Sequence, residues 1–191
     1  MKVNDHRTRI SKMLIQEAFV SLALEKPFAT ITIKELCVEA GINRGTFYNN
    51  YKDLHDLLEQ LEEELLLSIK NALDSTDAEY FTPYTIITKI FKLVHTDKEL
   101  YYVILGPNGD KTFFQRILNL GKAHYLNSYS KYDGILSLQK MDIHFTFVSS
   151  GCCALLEKWL AGDLDMSVEE IARHMEAIIT TGIAYLTNDS L

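Results

Sequence analysis

The sequence predicts an all-α fold of about nine helices, and three observations carry that prediction. Apolar residues recur at three- and four-residue spacing along most of the 191-residue chain. Two capping-box pairs, Thr32 with Glu35 and Ser167 with Glu170, each stand immediately before such a run, where hydroxyl and carboxylate satisfy each other's orphan backbone N–H groups. The prolines, Pro27, Pro83 and Pro107, all fall between runs, where a missing N–H interrupts no helix. The one strand-like stretch, Ala29 to Ile33, is rich in β-branched residues. With Thr32 capping the next helix, it reads as a linker. No internal repeat or low-complexity segment interrupts the pattern.

The first helix is expected over residues 8–25, with Ile10, Leu14, Ala18 and Leu22 on one stripe and Met13, Phe19 and Ala23 broadening it. Lys26-Pro27 ends it. Lys2, Arg7 and Arg9 precede or begin this helix and offer charge to phosphates, or simply a solvated end. The second helix follows Thr32, with Leu36 and Ala40 on one face, and Gly41 stands where the chain must adopt a positive φ. Asn43 caps a third helix over Arg44 to Asn50. Asp53 caps a fourth, running to about Leu73. Leu54, Leu57, Leu58, Leu61, Leu65, Ile69 and Leu73 make its apolar stripe, and Glu59, Glu62, Glu63 and Glu64 are expected outward as a solvated face. Five turns would carry this helix from a small head into the body as a mechanical link.

Pro83 opens a fifth helix with Ile86, Ile87, Ile90, Phe91 and Val94. Asp97 caps a short sixth with Leu100, Tyr101, Val103 and Ile104. Gly106-Pro107-Asn108-Gly109-Asp110 is the strongest breaker. The seventh helix carries Phe113, Phe114, Ile117, Leu118, Gly121, Tyr125 and Tyr129 and ends near Asp133-Gly134. Residues 141–161 form an apolar helix with Phe147, Gly151, Ala154 and Leu155 toward one side and Val148, Cys152 and Trp159 toward another. The last helix opens at Ser167 and aligns Ile171, Met175, Ile178, Ile179, Gly182, Ile183 and Leu186.

Bulk chemistry narrows the function classes. A 47% hydrophobic, 24% charged composition suits a globular chain. No run approaches the roughly 18 apolar residues of a membrane span. Gln16 and Glu17 interrupt the only apolar stretch near the start, so no secretory signal is read and a cytoplasmic location is expected. The formal net charge of −7 argues against a generic basic nucleic-acid binder. Residues 1–56, however, hold eight Lys/Arg against seven Asp/Glu, and the remainder eleven against nineteen, so a weakly basic head precedes an acidic body that DNA would repel. Cys37, Cys152 and Cys153 form no disulfide framework and read as small buried side chains, with a thiol sensor as the alternative. The six histidines lack metal-ligand spacing, and no phosphate-binding glycine loop or nucleophile motif is present, so neither an enzyme nor a cofactor is expected. His144, on an apolar helix, reads as a hydrogen-bonded core histidine.

Residues 32–52 therefore carry the chemistry. Two short helices joined at Gly41 fit a helix-turn-helix, although such units also occur in bundles that never meet nucleic acid. The third helix presents Arg44, Thr46, Tyr48, Asn49 and Asn50 on one side, with Phe47 and Tyr51 behind, holding it to the first helix. A polar, uncharged-to-basic front on a short helix suits the DNA major groove. The literal string Thr32…Ala40-Gly41-Ile42…Arg44-Gly45-Thr46-Phe47-Tyr48-Asn49-Asn50-Tyr51-Lys52-Asp53-Leu54…Leu57-Leu58 closely resembles the DNA-binding signature of the TetR family of transcriptional regulators, most specifically over residues 8–58. The resemblance implies a DNA-binding domain over residues 1–53 and a C-terminal effector-binding and dimerisation domain over 54–191. It also implies DNA contacts from Thr32, Arg44, Gly45, Thr46, Tyr48, Asn49, Asn50 and Lys52. Arg44 suits guanine or phosphate and Asn49 adenine, with Thr46, Tyr48 and Asn50 as backbone clamps and Thr32 and Lys52 on phosphates. Many members carry a basic or aromatic residue and a histidine where this chain has Asn49-Asn50, which alters the expected base preference.

Gly151…Lys158-Trp159-Leu160…Gly162…Ser167-Val168-Glu169-Glu170-Ile171 looks like the last two helices of the C-terminal domain of Firmicutes-type members. The resemblance implies a homodimer through those helices, with Phe147, Gly151, Leu155, Trp159, Met175, Ile179 and Ile183 at the interface. It also implies a pocket, for which Phe91, Tyr101, Tyr102, Phe113, Tyr125 and Phe147 are the candidates, and Phe114, Phe145 and Trp159 are further aromatics of the same region. The expected function is a repressor released from a pseudo-palindromic double-stranded DNA operator by a small molecule. The alternative is an activator or co-regulator whose body binds a partner protein.

Overall fold

A computed structural model describes residues 2–76, 82–106, 109–128 and 137–187. Among them are nine α-helices, one 3₁₀ turn and no strand: α1 Lys2–Glu25, the turn Phe28–Thr30, α2 Ile33–Glu39, α3 Arg44–Tyr48, α4 Leu54–Asp74, α5 Pro83–His95, α6 Lys98–Leu105, α7 Lys111–Ser128, α8 Leu138–Ala161 and α9 Val168–Thr187. The fold class is as expected. Pro107, Asn108, Tyr129 and the Asp133-Gly134 boundary lie outside the described residues. The chain divides into two compact units, Met1–Glu64 and Leu65–Leu191.

In the first unit α1, α2 and α3 pack on one another around Ile15, Phe19, Leu36, Phe47, Tyr51 and Leu57, all at most 2% exposed. The capping residues do what their spacing predicts. Thr32 Oγ1 accepts from Glu35 N–H at 3.2 Å while the Glu35 carboxylate accepts from Thr32 N–H at 3.0 Å. Ile31 and Thr32 are extended linker, not strand pairs. Two expectations change. The helix opening the chain starts at Lys2, so Arg7 and Arg9 are exposed side chains of a formed helix. Its buried seam is Ile15, Ala18, Phe19 and Val20, while Ile10 and Met13 are exposed. Apolar residues surround α1 from Met13 to Leu24, so periodicity alone does not choose the seam; contact with α2 and α3 does.

In the second unit the most extensive pairing is α5 with α9, and α8 packs against α6, α7 and α9. Thr82, Asp97 and Ser137 cap α5, α6 and α8 through their side-chain oxygens. With Ser137 as its cap, α8 starts at Leu138, three residues before the expected Met141. Gly162, at φ 85°, ends α8 in the left-handed region that a glycine enters at little cost. The Ser167–Glu170 capping box opens α9, with the carboxylate 2.9 Å from Ser167 N–H and Glu170 N–H 3.3 Å from the hydroxyl. Along α4, Glu59, Glu63 and Glu64 are exposed, but Glu62 is buried. Three and seven residues before Leu65 and Ile69, it shares the face of the apolar stripe.

Candidate functional site

The head site is built from its caps. Gly41 takes φ 64° and no neighbour stands within 4 Å of where a Cβ would lie, so backbone conformation alone asks for glycine. Ile42 N–H then reaches back to Cys37 O at 3.0 Å, closing α2. Asn43 Oδ1 accepts from Thr46 N–H at 2.8 Å and from the Thr46 hydroxyl at 3.3 Å, opening α3. The same oxygen lies 3.1 Å from the position a Cβ on residue 45 would take, so Gly45 keeps the cap compact.

Those bonds sort the predicted contacts into two groups. Arg44, Gly45, Tyr48, Asn49 and Lys52 are exposed, Tyr48 at 56%, while Phe47 at 0% and Tyr51 at 2% form the buried back of the segment. Thr46 and Asn50 are half-buried, and Thr32, though exposed, spends its hydroxyl on its own cap. Asn50 Nδ2 donates to Thr46 O at 2.8 Å, and the Thr32 hydroxyl donates to Glu35 at 2.7 Å. The regular helix also stops at Tyr48, with Asn49 as its C-cap, rather than reaching Asn50. The reason is local: Asn49 N–H bonds Gly45 O and Phe47 O, and the Asn50 amide folds back on the last turn. Val38, 76% exposed near the end of α2, is a surface residue that the sequence does not single out. Its only signal there is that it falls off the Leu36–Ala40 face.

Charge reinforces the geometry. The Lys26 ammonium, 2.8 Å from Glu35 Oε1, together with the Thr32 bonds, holds the Glu35 carboxyl down at about 2. Burial pushes the Cys37 thiol up, with the Arg44 charge opposing it.

The second unit holds a half-open cavity of about 490 Å³. It is walled by Ile69 and Leu73 of α4, Ile86, Ile90 and Phe91 of α5, Phe114, Ile117, Gly121, His124 and Tyr125 of α7, Phe145, Val148, Cys152 and Cys153 of α8, and Met175, Glu176, Ile179 and Ile183 of α9. Of the six aromatic candidates, Phe91 and Tyr125 line it. Phe113 is fully buried elsewhere, Tyr101 and Tyr102 are half-buried outside the wall, and Phe147 is 76% exposed. Burial raises the Cys152 and Cys153 thiols to about 11 and about 12, so both stay protonated at neutral pH, which disfavours thiolate chemistry.

The residues expected at a subunit interface also separate. Met175, Ile179 and Ile183 are at most 6% exposed and belong to the chain's own core, as does Trp159, whose indole N–H donates to Met166 O at 3.1 Å. The α5–α9 pairing takes up that α9 stripe. Phe147, Gly151 and Ala154 of α8 face outward, and Leu155 is half-buried. Ile143 of α8, at 62%, joins them, as do Ile178 and Tyr185 of α9 at 60% and 63%.

Among the described residues no helix is long and apolar enough to cross a membrane, and no His/Cys/Asp/Glu group has metal-site geometry.

Residues 81–181 match the model of a family described as "Transcriptional regulator C-terminal region" (TetR_C_8). A Haemophilus influenzae protein described as an uncharacterised HTH-type transcriptional regulator is 24% identical over 135 residues, 68% of this chain and 65% of that protein's length. Two solved structures share the fold. A TetR transcriptional regulator from Streptococcus agalactiae aligns over 93% of this chain and 98% of its own, with TM-score 0.64 and 23% identity. The regulator FadR from Bacillus subtilis, solved in complex with stearoyl-CoA, aligns over 89% and 98%, with TM-score 0.65 and 16% identity.

Proposed function

The chain belongs to the TetR family of transcriptional regulators, and from that premise we propose that it is a homodimeric, cytoplasmic repressor that binds a pseudo-palindromic operator through residues 1–53 and is released by a small molecule held in the cavity of residues 54–191. The observation that carries the DNA half is the exposed group Arg44, Gly45, Tyr48 and Asn49 on a capped α3 whose opposite side, Phe47 and Tyr51, is buried. Arg44 and Asn49 have the donors and acceptors to read guanine and adenine edges, with Tyr48 and Lys52 on phosphates. Gly45 lets the backbone approach closely. Val38 offers an apolar surface suited to a thymine methyl. Thr32, Thr46 and Asn50 serve by holding the caps unless DNA draws their side chains outward.

A second copy is accommodated on the outward apolar faces of α8 and α9, Ile143, Phe147, Ile178 and Tyr185. Two heads related by a two-fold axis call for half-sites about one helical turn, or a multiple, apart. For release, α4 is suited to act as a lever: Leu57 and Leu61 lie in the first unit's core, while Ile69 and Leu73 of the same helix line the cavity. A ligand shifts such an equilibrium only by its differential affinity for the two arrangements. The cavity volume falls in the range of sites that enclose drug-sized molecules, about 300–1,000 Å³. That a regulator of this fold has been solved with stearoyl-CoA supports the small-molecule reading.

The test is a gel shift on DNA upstream of the chain's own gene at stated salt. Arg44→Ala should weaken specific binding by about 1–3 kcal/mol and leave the circular dichroism and oligomeric state unchanged. A mutant that retains the wild-type footprint overturns the reading.

A further inference from the structure

We propose that the effector is a lipophilic cation: an aliphatic or aromatic body bearing a single positive charge. This rests on the reading of the cavity as the effector site, and it follows from the charge content of the wall. Among the described residues no Lys or Arg lines the cavity, and Glu176 is its one acidic residue. Of the lysines on the neighbouring stretches of α5 and α7, Lys92 pairs with Glu169 at 2.7 Å and Lys122 with Asp142, and Lys89, off the wall, donates to the Thr76 hydroxyl at 2.6 Å. The imidazole of His124, also on the wall, has its own acid, Asp74, at 3.4 Å.

Glu176 is the acid of α9 that lines the cavity, and it is half-buried. Its carboxylate takes one backbone hydrogen bond, from Tyr84 N–H to Oε1 at 3.3 Å, and no ion pair with a described residue. A carboxylate beside an apolar void loses hydration when the void fills with hydrocarbon, and only an opposite charge compensates that loss. Phe91, Phe114, Tyr125 and Phe145 line the same space. Ring faces attract cations and do nothing comparable for anions. An anionic head brought here would meet Glu176 and find no Lys or Arg among the described lining residues. A neutral lipophile would fill the void but leave the carboxylate uncompensated.

The test uses three submicellar probes with the same ten-carbon tail, decyltrimethylammonium, decanol and decanoate, on the full-length protein, read by thermal shift and by release of DNA in the gel shift. The expected order is cation above alcohol above anion, with the cation bound about tenfold or more tighter than the alcohol, as for opposite charges several ångströms apart at a partly solvated site. Glu176→Gln should bring the cation to the level of the alcohol and leave the alcohol unchanged. Gly121→Leu, which fills the cavity from a wall position with nothing within 4 Å of its Cβ, should abolish binding of all three in a protein that still melts cooperatively. Equal binding of alcohol and cation, or cation binding indifferent to Glu176→Gln, overturns the charge assignment while leaving the cavity as effector site. Binding that survives Gly121→Leu, or no binding by any probe, overturns the cavity reading and the cation proposal with it.

Discussion

His144 Nε2 lies 3.2 Å from the carbonyl oxygen of Ile179, joining α8 to α9 inside the second unit. A carbonyl only accepts, so Nε2 carries the proton and Nδ1 of the neutral ring is left to accept from the Tyr125 hydroxyl of α7. One buried imidazole thereby ties three helices, and Gly182 gives it room, since a Cβ there would stand 3.0 Å from Nε2.

Burial holds the His144 ring below its ordinary value of 6.5. Between the lowered value and 6.5 the unfolded chain takes up a proton that the folded chain refuses, so stability rises with pH through that window and is lost on acidification. Urea midpoints of the wild type should therefore fall on going from neutral to mildly acidic buffer. His144→Gln should flatten this slope relative to wild type. His144→Ala should cost about 1–3 kcal/mol at neutral pH because it leaves buried partners unpaired. Parallel pH profiles for wild type and His144→Gln would contradict the assignment.

Thr32→Ala should destabilise the first unit by about 1 kcal/mol, the usual worth of an N-cap side chain. The matching carboxyl, Glu35, is held at about 2 against an ordinary 4.5, so its contribution is complete above 4.5 and disappears only as pH falls toward 2. Hydrogen exchange at the Glu35 amide reads both effects. Unaltered protection in Thr32→Ala would mean that packing, not the cap, fixes the start of α2.

Phe147 and Ile179 should respond oppositely to a charge. Phe147→Glu should preserve the melting temperature and weaken self-association about 30-fold or more, as for an interface anchor. Ile179→Glu, which buries a charge in the chain's own core at a position 6% exposed, should unfold the second unit. Sedimentation and circular dichroism on the pair separate the two. A Phe147→Glu protein with wild-type sedimentation would place the dimer on another surface.

How far the sequence reaches depends on which forces are local. Caps and terminators involve neighbours in the chain, so Thr32, Asn43, Asp97 and Ser167, and the positive φ of Gly41 and its helix-turn-helix, are legible. The choice of face is not local. On α9 both Met175–Ile179–Ile183 and Ile178–Tyr185 repeat at apolar spacing, and only the pairing with α5 decides that the first is consumed internally. The same ambiguity hides the solvent exposure of Phe147 and makes Tyr101, Tyr102 and Phe113 look like cavity residues. In α3 the side-chain types are readable, but the inward turn of Thr46 and Asn50 depends on hydrogen bonds that spacing does not encode.

Trp159 is the single tryptophan of the chain. Its ring lies 5.3 Å from Phe91, 5.5 Å from His95 and 5.4 Å from the Lys98 ammonium. Because Phe91 is also a wall of the cavity, the molecule carries a built-in optical probe: emission excited at the indole comes wholly from the second unit, and anything that displaces Phe91 should register in its intensity and wavelength without a label.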